Sequence, residues 1–173
     1  MAAARPAPTA TAQRVIATPV GPLLLVAGDA GLQRLWFLDD GDAPSTDATA
    51  EAAPGATDVL DAVEAQLGEY FAGDRTTFDV DLDLHGTPFQ QQVWARLQAI
   101  PYGATATYGA LATDLGSPGA SRAVGMANNK NPVAIIVPCH RVVGASGDLT
   151  GYAGGLDRKR FLLDLEAGVG ALL

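Results

Sequence analysis

The chain has 173 residues, of which 48% are hydrophobic, and its formal net charge is −8. This length and composition suit one ordinary domain or two small ones with a real core. No apolar run approaches the roughly 18 residues of a membrane-spanning helix, so we expect no membrane association. The single cysteine excludes an internal disulfide and, with only two histidines, offers no metal-ligand cluster. We therefore expect a cytoplasmic protein without metal or cofactor.

The negative charge is concentrated in the first half of the chain. Residues 1–86 carry 4 Lys or Arg and 14 Asp or Glu, a net charge of −10, whereas residues 87–173 carry 7 and 5, a net charge of +2. Binding to a polyanion depends on a local positive face more than on total charge. The second half is therefore compatible with DNA binding, although a merely solvated surface has the same charge pattern.

The chain begins with the pattern of a short tail followed by β-strands. Residues 1–11 are rich in Ala, Pro and Thr and contain no continuous apolar stretch, so we expect a disordered tail and not a signal peptide. Alternating apolar residues, broken by Pro and Gly, then predict antiparallel strands joined by hairpin turns. These strands are expected at residues 14–18, 23–28 and 32–38.

A loop, a helix and one more extended segment follow. Residues 41–56 lack a core-forming pattern, so we expect a flexible acidic loop. Thr57 can cap a helix with apolar residues at helical spacing, and Gly73 can end it. Alternation over residues 77–84 predicts a further strand with an acidic side that faces solvent. We interpret residues 12–84 as a small N-terminal α/β domain with antiparallel strands.

A strong helix start marks the next boundary. Thr87 and Gln90 have the spacing of a capping box, and Pro101 ends the helix that they begin. His85, just before the cap, is interpreted as a surface or linker histidine and not a ligand. Residues 85–173 are therefore predicted to form a second, C-terminal domain.

Two short helices are predicted in this second domain, at residues 107–116 and 119–128. Ser117 and Pro118 lie between them, where they can cap and open the second helix. Two short helices joined by a tight turn are the pattern of a helix-turn-helix, although many helical hairpins bind nothing. The predicted fold class is α+β, with a mostly helical C-terminal domain.

The only cysteine, Cys139, stands beside His140 in a run of β-branched residues. We interpret this run, residues 135–143, as a buried strand that enters a fixed turn at Pro138. An imidazole near a thiol can take its proton and stabilise the thiolate, which is the species that attacks electrophiles. The alternative is that the cysteine serves only as a small buried hydrophobic residue.

Eight segments occur in one order along the chain: residues 89–94, 100–103, 107–108, 121–125, 131–132, 138–142 (PCHRV), 151–155 (GYAGG) and 163–166. Together they resemble the O6-alkylguanine-DNA alkyltransferases, also called methylated-DNA-protein-cysteine methyltransferases. The resemblance covers nearly the whole chain and is strongest from residue 87 to residue 166. It is far more specific than the adjacent cysteine and histidine.

The resemblance implies that the helix-turn-helix binds the minor groove of double-stranded DNA that carries O6-alkylguanine. The damaged base would rotate out of the stack, because its neighbours block the reacting atom in a duplex. Arg122 matches the residue that fills the gap, and Tyr108 matches the residue that presses on the 3′ phosphate. Without the resemblance, these are a solvated helix residue and a core aromatic. The other implied DNA contacts are Ser121, Ala123 and Gly125.

The resemblance also implies the chemical roles. Cys139 is similar to the family's acceptor thiol, and His140 is similar to its base, which acts through a water. Glu166 matches the acid that orients this histidine, and Asn131 matches the asparagine that braces the active-site turns. Tyr108 is expected to supply a proton to the leaving guanine.

A loop is expected to cover the guanine pocket. Its residues Tyr152, Ala153 and Gly154 match that loop, and we place Asn128 and Val142 in the same pocket. Ala153 stands where some relatives have serine, which removes one hydroxyl from the contacts to O6 and leaves recognition to backbone amides.

The reaction implied is irreversible transfer of an alkyl group from O6 of guanine to Cys139, with O4 of thymine as a second candidate donor. Each molecule would act once, as a monomer. Two other functions stay open: a protein that binds alkyl damage without transfer, and an unrelated thiol hydrolase. The presence of Cys139 argues against the first, and the helix-turn-helix has no purpose in the second.

Overall fold

The structure, a computed structural model, describes residues 11–39 and 54–169. Residues 1–10, nearly all of the predicted tail, and residues 40–53, which include most of the predicted acidic loop, lie outside the described residues. The last three residues of the predicted loop are helical, because a helix already begins at Pro54.

The first part of the chain forms an antiparallel sheet of β1 (Ala12–Ile16), β2 (Leu23–Gly28) and β3 (Gly31–Phe37), in that order. The three predicted strands are therefore confirmed. β1 ends two residues earlier than expected because Thr18 belongs to the next turn. There Gly21 N donates to Thr18 O at 3.0 Å, and the Thr18 hydroxyl donates to Gly21 O at 2.6 Å.

Helix α1 (Pro54–Phe71) packs against this sheet. Its buried side chains recur at helical spacing: Ala56, Leu60, Val63, Leu67 and Tyr70. The prediction that Thr57 caps the helix is wrong, because the helix starts three residues earlier at a proline, whose missing N–H costs nothing in the first turn. The predicted end is confirmed: Gly73 follows the helix with φ +80°.

The strand predicted over residues 77–84 is wrong. Leu82 alone pairs with a strand, in an isolated parallel bridge to Leu32. The backbone of Asp79 bonds instead to the Gln66 side chain of α1, with N donating to Oε1 at 2.8 Å and Nε2 donating to the carbonyl at 3.0 Å. The Gln66 side chain therefore takes the backbone hydrogen bonds of Asp79 that a neighbouring strand would have made, and no strand pairing forms there.

The second part of the chain is mostly helical, which confirms the α+β fold class. Its helices are α2 (Pro88–Gln98), α3 (Tyr108–Asp114), α4 (Ser121–Asn129) and α5 (Leu156–Glu166). The predicted capping box of α2 is confirmed, since Gln90 N donates to Thr87 Oγ1 at 3.2 Å and Thr87 N donates to Gln90 Oε1 at 3.0 Å.

Helices α3 and α4 pack together as the predicted pair. Thr107 caps α3, with Ala110 N donating to its hydroxyl at 3.1 Å. The expected start of α4 at residue 119 is wrong. Ser117 does not cap it, because Ala120 N donates to the Ser117 carbonyl at 2.9 Å and closes a separate turn before the helix begins.

The buried strand predicted over residues 135–143 is also wrong. The segment is made of turns, in which Ile135 has a left-handed φ of 70°. A single 3-10 turn, Cys139–Arg141, follows, and only β5 (Val142–Val143) is extended, paired in parallel with β4 (Ala106–Thr107). The β-branched run reflects burial on all sides and not an extended backbone.

β3 joins the two parts of the chain. Leu35 N donates to Pro132 O at 2.9 Å, and Ala134 N donates to Leu35 O at 3.1 Å. The sheet therefore supports the turns that precede the cysteine, and one hydrophobic core continues across both parts.

Within residues 11–39 and 54–169, no helix combines the length and apolarity needed to cross a bilayer.

Candidate active site

The thiol of Cys139 lies at the first residue of the 3-10 turn and is 6% exposed. Asn131 holds the preceding turns in place. Its Nδ2 donates to Val137 O at 2.7 Å, and its Oδ1 accepts from Val133 N at 3.0 Å. This bracing holds Ile135 in a conformation that a β-branched residue rarely adopts.

A cavity of about 360 Å³ opens beside Cys139, within the size range of small-molecule sites. Three segments line it together with the cysteine: the end of β3 (Leu35, Trp36 and Phe37), the end of α4 with the turn after it (Asn128, Asn129, Lys130, Asn131, Pro132 and Ala134), and the loop Tyr152, Ala153 and Gly154. Four of the five predicted pocket residues thus line one cavity. Val142 does not, because it is fully buried in β5, opposite Ala106.

Glu166 is the centre of a buried hydrogen-bond network behind the cysteine. Its Oε1 accepts from Tyr70 Oη at 2.7 Å and from His140 Nε2 at 2.7 Å, and Arg141 donates to both carboxylate oxygens at 2.8 and 2.9 Å. Burial alone would raise the pKa of Glu166, but the hydrogen bonds from His140, Arg141 and Tyr70 outweigh it and hold the pKa to about 2. The carboxylate is therefore ionised at neutral pH.

This network determines which nitrogen of His140 can act as a base. The ring is fully buried, and burial lowers its pKa, so the imidazole is neutral at neutral pH. An ionised Glu166 can only accept, so Nε2 carries the ring proton and Nδ1 has the free lone pair. Among the described residues, Nδ1 has no hydrogen-bond partner. His140 is thus prepared to accept a proton through Nδ1.

Opposing effects act on the thiol itself. Burial raises the pKa of Cys139, and it outweighs the nearby polar groups of Asn131 and Tyr152 and the positive charge of Lys159, which act to lower this pKa. The Tyr152 hydroxyl is buried and has no hydrogen-bond partner in the described part of the chain. Lys159 Nζ donates to Thr150 O at 3.1 Å and lies 5.9 Å from the centre of the Tyr152 ring.

The predicted DNA contacts lie on the helix-turn-helix. Arg122 and Ala123 are exposed on α4, and Ser121 is half-buried at its start. The Tyr108 ring lies next to Gly125, where an added Cβ would be 3.7 Å from the ring. The Tyr108 hydroxyl donates to Thr150 O at 3.1 Å, and burial raises its pKa.

In residues 11–39 and 54–169, no three His, Cys, Asp or Glu side chains converge to hold a metal ion.

Two family models match the chain in succession. The ribonuclease-like domain of 6-O-methylguanine DNA methyltransferase matches residues 12–84, and the DNA-binding domain of the same family matches residues 88–168. A methylated-DNA–protein-cysteine methyltransferase of Mycobacterium bovis is 56% identical over 154 residues, which cover 88% of this chain and 90% of the relative. The chain belongs to the 6-O-methylguanine DNA methyltransferase family.

Other members of the 6-O-methylguanine DNA methyltransferase family agree in sequence and in structure. A methylated-DNA–protein-cysteine methyltransferase of Methanosarcina acetivorans is 48% identical over 155 residues, covering 88% of this chain and 96% of the relative. A crystal structure of Mycobacterium tuberculosis OGT in complex with DNA has a TM-score of 0.80 and 51% identity, covering 92% of this chain and 96% of that chain.

Sequence patterns miss three side chains of the candidate site: Tyr70, Arg141 and Lys159. Tyr70 donates a hydrogen bond to Glu166, which lies 96 positions later in the sequence, and no local pattern predicts such a contact. Lys159 was detectable in principle, because it lies seven residues before Glu166 and therefore on the same face of α5. Because its neighbours in the first turn of α5 are also charged, however, the pattern predicts a lysine exposed to solvent.

Proposed function

We propose that this chain is a direct-reversal DNA repair protein, a methylated-DNA-protein-cysteine S-methyltransferase that acts once. It transfers a methyl or larger alkyl group from O6 of guanine in duplex DNA irreversibly to Sγ of Cys139. The observation that carries the proposal is the geometry around this thiol: it lines a base-sized cavity, and behind it a neutral His140 has an unprotonated Nδ1. The membership of the chain in the 6-O-methylguanine DNA methyltransferase family supports the same reaction.

The first step is removal of the thiol proton. His140 Nδ1 takes this proton through a bridging water, because neighbouring residues on a tight turn cannot align sulfur and imidazole directly. The ionised Glu166 then stabilises the imidazolium through Nε2. Lys159 and Tyr152 favour the thiolate, since both act to lower the pKa of Cys139 against the effect of burial.

The second step is an in-line displacement at the alkyl carbon. The thiolate forms the C–S bond while the C–O6 bond breaks, and the electron pair leaves with guanine. Tyr108 protonates the departing base; burial raises the pKa of its hydroxyl, so it still carries its proton when the reaction begins. Solvent restores the proton of Tyr108. No group in the site reverses a thioether, so each molecule is consumed by one reaction.

The helix-turn-helix delivers the base to this cavity. α4 lies in the minor groove, and the exposed Arg122 enters the stack and pairs with the orphaned cytosine. Ser121, Ala123 and Gly125 contact the groove, while Tyr108 presses on the 3′ phosphate of the rotated nucleotide. The loop that contains Ala153 recognises the base edge through backbone amides. O4 of thymine offers the same reacting atom in a smaller ring.

Two broader properties complete the proposal. The protein works in the cytoplasm, because a lone reactive thiol needs a reducing compartment to stay available. It acts as a monomer, because one chain contributes the thiol, the base, the cavity and the DNA-binding helices.

The test is peptide mass measurement after incubation with a duplex that contains one O6-methylguanine. The peptide with Cys139 should gain one methyl group in stoichiometric amount, and Cys139→Ala protein should gain none while still binding the duplex. If the wild-type chain binds the damaged duplex and its cysteine peptide stays unmodified, the chain binds damage without repairing it. Release of more than one product per molecule would instead indicate a turnover enzyme.

A further inference from the structure

The loop over the cavity is tied to the N-terminal sheet by one side chain, Arg158, in the first turn of α5. Its Nη1 donates to Gly154 O at 3.1 Å, which is a backbone group of the loop itself. Its Nε donates to Val20 O at 3.0 Å, and its Nη2 donates to Leu38 O at 3.4 Å. Nη1 also pairs with Asp39 Oδ1 at 2.8 Å. One guanidinium therefore joins the loop to two segments that flank the sheet.

An aromatic contact completes the connection. The Arg158 guanidinium lies 5.0 Å from the centre of the Phe37 ring, and this ring meets Tyr152 of the loop edge to face at 6.0 Å. The Phe37 ring also fills the space over Gly154, where an added Cβ would lie 2.6 Å from ring carbons. Sheet and loop are therefore fitted together at the wall of the cavity that contains Cys139.

The chemistry of arginine explains why this position suits no other cation. A planar guanidinium presents several donors in a fixed fork and stacks on an aromatic face, whereas a lysine ammonium is a compact point charge. A lysine at this position could reach one of the acceptors but could not bridge Val20, Leu38 and Gly154 together. The contact thus depends on shape as well as on charge.

We propose that Arg158 is a positioning residue that holds the segment 152–154 against the sheet, so that the N-terminal part sets the geometry in which the rotated base is received. This inference rests on the proposed alkyl transfer and extends it to the residue that orders the base-recognition loop. Arg158 does not act on the thiol. Its loss should therefore impair reaction with a base in DNA far more than it changes the intrinsic reactivity of Cys139.

The experiment compares Arg158→Ala, Arg158→Lys and the matched control Arg160→Ala, which removes the same charge from an exposed position on the same helix. The rate of Cys139 methylation is measured over a range of concentrations of O6-methylguanine duplex. A misplaced recognition loop should slow transfer by about tenfold or more in Arg158→Ala. Arg158→Lys should recover little of this loss, and Arg160→Ala should react like the wild type.

Two further measurements separate positioning from general destabilisation. The reaction of Cys139 with iodoacetamide needs no base recognition, so in Arg158→Ala it should slow much less than the reaction with the duplex, even though the released segment includes Tyr152. Hydrogen exchange of the amides in residues 151–155, measured without DNA, should become faster in Arg158→Ala and Arg158→Lys but not in Arg160→Ala.

Several outcomes overturn the proposal. Wild-type transfer rates in Arg158→Ala would show that the loop needs no such tie, and equal losses with duplex and iodoacetamide would indicate a structural role only. Full recovery by Arg158→Lys would mean that charge alone matters. If wild-type Cys139 accepts no methyl group at all, the proposed function fails. The positioning role of Arg158 is then judged from hydrogen exchange alone, and unchanged exchange in Arg158→Ala would refute it.

Discussion

Replacing Glu166 by glutamine tests the buried network behind the cysteine. The carboxylate accepts hydrogen bonds from Tyr70, His140 and Arg141, and its side chain is 1% exposed. A glutamine of nearly the same shape has one acceptor where the glutamate has two, and it places an N–H group against a donor. The Arg141 guanidinium, 8% exposed, is then left buried without a counter-charge.

The expected loss of stability follows from two independent considerations. Removing one partner of a buried ion pair costs about 3 to 5 kcal/mol. A fall of the Glu166 pKa from 4.5 to about 2 corresponds to roughly 3 kcal/mol of stability at neutral pH. We therefore expect Glu166→Gln to lower the free energy of unfolding by about 3 kcal/mol at pH 7, a large part of the typical total of about 5 to 15 kcal/mol.

The pH dependence of this loss has a definite sign. Because folding lowers the pKa of Glu166, its contribution is fully present above about pH 4.5, the value in the unfolded chain, and disappears as pH falls towards 2. The difference between wild-type and Glu166→Gln protein should shrink over this window. Comparing the two proteins at each pH removes the effect of the titrating groups that do not contact Glu166, which the proteins share.

Urea unfolding followed by tryptophan fluorescence, to which the buried Trp94 and the exposed Trp36 both contribute, measures this difference. A loss of 3 kcal/mol should move the midpoint by about 1.5 M when the urea dependence is about 2 kcal/mol per M. Glu69→Gln is the control, because Glu69 pairs with Arg75 at the exposed surface, where an ion pair contributes less than about 1 kcal/mol. A Glu166→Gln loss no larger than that of the control, or one that is independent of pH, would refute the reasoning.

Two further substitutions examine the cavity and the thiol. Gly154→Ala places a Cβ 2.6 Å from the Phe37 ring, so it should lower the free energy of unfolding by about 1 to 3 kcal/mol in urea and slow transfer from DNA. Combined with Phe37→Ala it should cost less than the sum of the two single changes, and strict additivity would argue against the clash. Lys159→Met removes the buried charge that lowers the pKa of Cys139, so reaction with iodoacetamide at pH 8 should slow several-fold. An unchanged pH profile, or an equal effect of Arg160→Met, would contradict this role.

Local rules predicted the elements whose ends are set by neighbouring residues. The capping box at Thr87 depends only on the side chain of Gln90, three positions later. The helix end at Gly73 depends only on the ability of glycine to adopt a positive φ. Both were predicted correctly for that reason. The false cap at Thr57 arose because Pro54, three residues earlier, is an equally good first residue and begins the helix sooner.

The strand predictions failed where a distant group decided the backbone. The alternation over residues 77–84 reported correctly which side chains face the core, but the Gln66 side chain takes the hydrogen bonds of Asp79 that a ladder would have used. The apolar run before Cys139 is typical of a buried strand, because a segment buried on all sides shows no periodic alternation that would distinguish a strand from turns. Its actual form, a series of turns held by Asn131, depends on contacts that the pattern does not contain.

The amino-acid sequence by itself determined the fold class, the helices with strong caps, the helix-turn-helix pair and, through resemblance, the family and the cysteine proposed to react. Those features depend on short-range spacing or on motifs that survive in order along the chain. Only the tertiary structure decided which nitrogen of His140 is free, that Tyr70 and Arg141 complete its carboxylate network, and that Arg158 joins the pocket loop to the sheet. Apart from the Arg158–Gly154 hydrogen bond, these contacts connect residues that are 25 to 138 positions apart, which only the folded chain brings together.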